Sequence, residues 1–103
     1  MHLTIRKYRK IEGDRKQIEE IVNREFVPLI SKIDGFNDFY AFFADDGSLT
    51  SVSVFRDASG AEESVRTAAR WVEQKLAKLL PEKPEVISGE VFGHRHLEQK
   101  KAA

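Results

Sequence analysis

Cysteine is absent from the 103-residue chain, which removes disulfides, thiolate zinc sites, iron–sulfur clusters and a thiol nucleophile from consideration. An excess of charge is absent too. Seventeen Lys and Arg meet seventeen Asp and Glu, so no net field draws the chain to phosphate backbones or anionic membranes, and nucleic acid is not an expected partner. No apolar run approaches the roughly 20 residues that span a bilayer. Met1–Tyr8 lacks the apolar stretch of a signal peptide, so the chain is expected in the cytoplasm. The six glycines form no dinucleotide-binding or phosphate-loop pattern, and no serine occupies a nucleophile elbow. No cofactor is expected. What is present is ordinary globular composition, 41% hydrophobic and 33% charged, on a length that suits one domain of about 100–150 residues.

The pattern along the chain resolves into six elements. Leu3 to Arg9 holds Thr4, Ile5 and Tyr8 without helical spacing and reads as a strand that Gly13 breaks. Asp14, with Gln17 three residues on, has the form of a capping box. Behind it Ile18, Ile21, Val22, Phe26, Leu29 and Ile33 recur at three- and four-residue steps, one stripe of a helix. Pro28 inside that stripe predicts a kink, and Ile33-Asp34-Gly35 predicts its end. Phe36 to Ala44 and Ser48 to Arg56 read as strands joined at Asp46-Gly47, a pair that favours positive φ at both turn positions. A second helix, capped by Asp57 or Ser59, is expected to bury Ala61, Val65, Ala68, Ala69, Val72, Leu76, Leu79 and Leu80 before Pro81 and Pro84 stop it. Val86 to Phe92 is the last strand. Residues 1–93 form the expected domain and 94–103 a polar tail.

The order β-α-β-β-α-β is the split βαβ, or ferredoxin-like, arrangement: an antiparallel four-stranded sheet with two helices on one face. Its other face should then be polar, and the sequence disagrees. Alternation places Phe36, Tyr40 and Phe42 on one side of the second strand and Phe39, Ala41 and Phe43 on the other. At about 25 cal/mol per Å², leaving three aromatic side chains in water forfeits several kcal/mol, so a homodimer is expected to cover them.

Several segments carry a family resemblance. Ile33-Asp34-Gly35-Phe36, Asp46-Gly47, Val52-Ser53-Val54-Phe55 leading into Ala61-Glu62-Glu63-Ser64, and Glu90-Val91-Phe92, in that order, resemble the dimeric α/β-barrel proteins related to antibiotic biosynthesis monooxygenases. The resemblance spans residues 1–93. It implies two four-stranded sheets paired into a barrel with the helices outside. For activity it implies a cofactor-independent monooxygenase acting on a small aromatic or quinone-like compound, or else a non-catalytic binding or stress-associated homodimer. Haem-degrading relatives carry a tryptophan and an iron-ligating histidine on the second helix. Here that helix has Trp71 but no histidine, which argues against haem.

Trp71, at the border of the second helical stripe beside Thr67 and Lys75, either lines a pocket or closes an interface. Tyr40 and Tyr8 are candidates to donate hydrogen bonds to a carbonyl or phenol in an aromatic cavity. Glu25, at the edge of the first stripe, is the candidate base, since partial burial raises a carboxyl pKa. Arg6 and Glu90 sit on neighbouring strands and are expected to point away from the helices as a registry pair. Arg66 and Arg70, a turn apart with Glu62 and Glu63 before them, read as a solvated ladder. His94 and His96 offer two ligands, too few for a metal site.

Overall fold

The computed structural model describes residues 1–97. Its strands are β1 (His2–Tyr8), β2 (Phe36–Phe43), β3 (Leu49–Phe55) and β4 (Glu85–Glu90); its helices are α1 (Arg15–Ile21), α2 (Val27–Ser31) and α3 (Ala58–Lys75). The sheet runs β2-β3-β1-β4 with every pair antiparallel. This is the expected ferredoxin-like α+β fold. The polar tail expected from residue 94 lies partly outside the described residues; His94 to Leu97 are exposed and belong to no helix or strand.

Between α1 and α2 the backbone takes a π-helical turn, Val22–Phe26, so that the first helical region is continuous but not uniform. A π turn holds one extra residue. The buried stripe therefore steps by four, through Ile18, Val22, Phe26 and Ile30, and the expected Leu29 is exposed while Ile30 is fully buried. Pro28 is the second residue of α2. The disruption that its missing N–H predicts is taken up by the π turn just before it. Asp14 caps α1 by accepting from the Lys16 backbone N–H at 3.0 Å.

In the β2–β3 turn only Gly47 has positive φ, at 89°. Asp46 stays in ordinary space, its carboxylate accepting from the Ser48 N–H at 2.9 Å and pairing with Lys7 at 2.6 Å. A positive φ at both positions was the wrong expectation, because the loop is one residue longer than a two-residue hairpin turn. The Gly47 N–H donates to the Ala44 carbonyl at 2.8 Å, and Gly47 supplies the left-handed step after it.

Asp57 caps α3, its carboxylate accepting from the Gly60 N–H and the Ser59 hydroxyl. The face that α3 buries is rotated from the expected one: Gly60, Ala61, Ser64, Thr67, Ala68 and Trp71 are buried, whereas Ala69 is exposed. Gly60 explains the rotation. A Cβ there would lie 2.8 Å from Phe55 Cδ1 and 2.9 Å from the Asp34 carbonyl oxygen, so α3 presses its glycine edge directly onto the sheet. Trp71 follows on the same edge and is only 7% exposed.

Side-chain parity across the sheet is fixed by contact with the helices. Arg6 reaches Ser64 of α3, so Thr4, Arg6 and Tyr8 face the helices and Leu3, Ile5 and Lys7 face away. A register shift between Phe36 and Asp38 moves Phe36 to the helix side, where its ring meets Phe55 edge-on at 5.8 Å. The expected outward set Phe36, Tyr40 and Phe42 is thus corrected to Tyr40 and Phe42. The open face still carries Leu3, Ile5, Val52, Val54 and Ile87 beside them, with Tyr40 59% and Ile87 66% exposed.

Candidate functional site

The helix side of the sheet and the inner edge of α3 do not close completely. Between them lies a cavity of about 40 Å³ bounded by Arg6 and Tyr8 of β1, Phe39 of β2, Phe26 of the π turn, and Trp71 and Leu76. Strand alternation brings Arg6 and Tyr8 side by side on one face. Helical spacing brings Ala68 and Trp71 over them, and the π turn brings Val22 and Phe26 to the remaining side. The Trp71 and Phe26 ring centroids are 5.0 Å apart, and Phe26 meets Phe39 edge-on at 5.5 Å. These contacts give the cavity an aromatic wall.

A larger cleft of about 660 Å³ adjoins it. Arg6, Tyr8, Val72 and Leu80 line both, and the rest of the cleft includes Val65, Ala69, Glu73, Glu82, Lys83 and Val86. The cavity alone is far below the roughly 150 Å³ that admits a benzene ring. The cleft falls within the roughly 300–1,000 Å³ of small-molecule sites. Arg6 and Tyr8, both buried, lie where the cleft meets the cavity.

Both polar groups at that junction are withdrawn from water, Arg6 at 3% and Tyr8 at 6% exposure. Burial pulls the Arg6 guanidinium below its ordinary pKa and pushes the Tyr8 phenol above its own; the charge of each works against the other's shift. A guanidinium is not deprotonated in proteins, so Arg6 brings a buried positive charge to the boundary between cavity and cleft.

The candidate residues separate. Trp71 and Tyr8 meet in the cavity. Tyr40 lies on the opposite face of the sheet, exposed. Glu25 sits on the π turn, paired with Lys75 at 3.6 Å and Arg24 at 3.7 Å, and does not border the cavity. Trp71 is inside the buried edge of α3 and not at its border, for the reason given by Gly60. Arg6 is not an outward registry partner of Glu90: it lies opposite Val86, and Glu90 instead holds His2 at 3.3 Å and the N-terminal amine at 3.2 Å. Arg66 pairs with Glu63 at 2.8 Å on the exposed side of α3. Among the described residues no group of three His, Cys, Asp or Glu side chains could hold a metal ion. The parity that carries Tyr8 inward also carries Arg6, and that was the signal by which the sequence could have placed it.

No family model and no curated protein matches the chain. Solved structures do match it. The monooxygenase of the ActVA-Orf6 gene of Streptomyces coelicolor, in complex with nanaomycin D, superposes with a TM-score of 0.68 at 14% identity, covering 94% of this chain and 92% of that one. The chain has the fold of the antibiotic biosynthesis monooxygenase-like proteins. SnoaB, a cofactor-independent oxygenase from Streptomyces nogalater, matches with a TM-score of 0.64 at 13% identity over 95% of this chain and 97% of its own. Rv0793 from Mycobacterium tuberculosis gives 0.68 at 15% identity, over 92% and 98%. Likeness at such identities concerns the fold, and the antibiotic biosynthesis monooxygenase-like fold fits the four-stranded sheet with helices on one side.

Proposed function

We propose that the chain is a cofactor-independent monooxygenase of small aromatic or quinone-like compounds, working at the cleft floored by Arg6 and Tyr8 and backed by Trp71. The observation that carries this reading is the placement of a phenol and a guanidinium beside an aromatic wall at the foot of a ring-sized cleft. An anthrone-type methylene, acidified by conjugation through the fused rings to the carbonyl across the central ring, loses a proton to leave an electron-rich carbanion. That carbanion reduces oxygen: one oxygen atom becomes the new carbonyl, and the other leaves as water with the two methylene hydrogens. The protein's part is to hold the ring, favour the anion electrostatically and limit water. Glu73 and Glu82, the carboxylates that line the cleft, take the proton in this reading.

One observation favours a second reading, a binding protein without catalysis. Among the residues that line the inner cavity there is no carboxylate and no imidazole, so the site's interior has no base. Oxygen uptake with anthrone- and quinol-type compounds separates the two. Catalysis predicts consumption well above the uncatalysed rate and its loss in Tyr8→Phe; background consumption together with a ligand-raised melting temperature leaves the binding reading.

The open face of the sheet belongs to the same proposal, as the seat of a homodimer. Tyr40, Phe42, Val52, Ile5 and Ile87 form an apolar surface that no helix of the described residues covers, and a second copy presents a complementary one by two-fold symmetry.

A further inference from the structure

Arg6 is 3% exposed, and among the described residues no carboxylate stands within ion-pair distance of it. Its one hydrogen bond runs from Nη2 to the Ser64 carbonyl at 3.5 Å, at the weak limit for such a bond. That carbonyl lies inside α3, where it already accepts from the helix ladder. Glu73 and Glu82 line the same cleft and yet do not pair with it. Buried charges are ordinarily paired, because an uncompensated one forfeits its hydration for nothing. The free N–H groups of this guanidinium open onto the cleft, where water is their only partner until something anionic arrives.

Resting on the proposed small-molecule site, we propose that Arg6, with the Tyr8 hydroxyl beside it, is the anion-binding group of the cleft, and that the ligand is an aromatic acid. Its ionised carboxylate or enol oxygen meets the guanidinium fork while its ring lies along Val72 and Leu80. One guanidinium and one phenol on the floor match a single negative charge with two or three acceptor positions, whereas a phosphate would ask for more donors than the floor provides; Glu73 and Glu82 against Lys83 on the cleft wall further disfavour a doubly charged ligand. The apolar lining does the rest: of the residues shared by cavity and cleft, only Arg6 and Tyr8 are polar. A neutral ring compound gains the same apolar contact but leaves Arg6 unpaired, so selectivity for the acid follows from the floor alone.

The test uses 2-naphthoate and its neutral isostere 2-naphthamide, titrated by calorimetry into the full chain and into Arg6→Met. The wild type is expected to bind the naphthoate at least about tenfold more tightly than the amide, the scale of a charge-assisted hydrogen bond. Arg6→Met is expected to lose that preference while melting no lower than the wild type, because a buried unpaired charge replaced by an apolar side chain of similar length costs the fold nothing. A merely structural arginine would do the opposite, lowering the melting temperature and leaving the preference in place. Equal binding of the two compounds to the wild type overturns the anion site but leaves the aromatic site standing. A preference that survives Arg6→Met overturns the assignment to Arg6. Binding of neither compound overturns the proposal and the small-molecule reading beneath it together.

Discussion

Replacing Gly60 with alanine tests the packing that sets Trp71 and the cavity. The added methyl would begin 2.8 Å from Phe55 Cδ1 and 2.9 Å from the Asp34 carbonyl oxygen, against the 3.5–4.0 Å at which carbon contacts become favourable. Neither neighbour can yield locally. Phe55 is fully buried, with the Phe36 ring 5.8 Å away, and the Asp34 oxygen belongs to the backbone of the turn that leads into β2. So α3 must lift. Overpacking of this kind costs about 1–3 kcal/mol, offset by up to about 1 kcal/mol of helix propensity gained on removing glycine. Taking the full offset, the net loss of about 0–2 kcal/mol corresponds to a fall of up to about 15 °C in melting temperature for a domain of this size. Calorimetry or circular dichroism at one fixed protein concentration reads it, since association would otherwise shift the midpoint. A melting temperature raised in Gly60→Ala would refute the direct seating of α3 on the sheet, and with it the account of why Trp71 is buried.

Three other perturbations follow from the same geometry. Trp71→Ala removes the ring that packs at a tilt against Phe26, centroids 5.0 Å apart, and is expected to lower stability by about 3–5 kcal/mol in urea or guanidinium titrations, whereas a loss below about 1 kcal/mol would contradict its place in the core. Val52→Lys sets a charge between Ile5 and Tyr40 on the open face; sedimentation velocity is expected to give twice the chain mass for the wild type and the single-chain mass for the variant, and a wild type that sediments as one chain contradicts the dimer. Hydrogen bonds from Lys7 and Ser48 hold the Asp46 carboxyl well below the usual carboxylate range. A carboxyl lowered in the folded state adds stability above its unfolded pKa and loses it as pH falls through the folded value. The stability difference between wild type and Asp46→Asn is therefore expected to be full at pH 7 and to shrink below about pH 4, and urea melts showing the same difference at pH 7 and pH 2 would contradict this.

The order of elements and the sheet topology were legible because period-two and period-four patterns survive without tertiary information, as do the Asp14 and Asp57 caps and the left-handed glycines at Gly35 and Gly47. Rotations about an element's own axis were not legible. The π turn at Val22–Phe26 exchanged Leu29 for Ile30, the shift at Phe36 moved one aromatic through the sheet, and the close approach at Gly60 turned Trp71 inward. Each is a one-residue offset that leaves composition and spacing almost unchanged. The same offsets divided the candidate site. Tyr8 and Trp71 came together, Tyr40 went to the other face, Glu25 joined a surface ion pair, and Arg6 emerged as a floor residue because its neighbour Tyr8 fixed the parity of β1.

Trp71 is the only tryptophan in the chain and lines the cavity that shares Arg6, Tyr8, Val72 and Leu80 with the cleft, so its emission reports on an aromatic compound bound against that shared floor. Titration with anthrone under anaerobic conditions, where no turnover interferes, is predicted to change Trp71 fluorescence in a saturable way that follows binding measured by calorimetry. Binding that leaves the emission of Trp71 unchanged, or no binding at all, would contradict the claim that the site lies on the helix side of the sheet at Arg6, Tyr8 and Trp71.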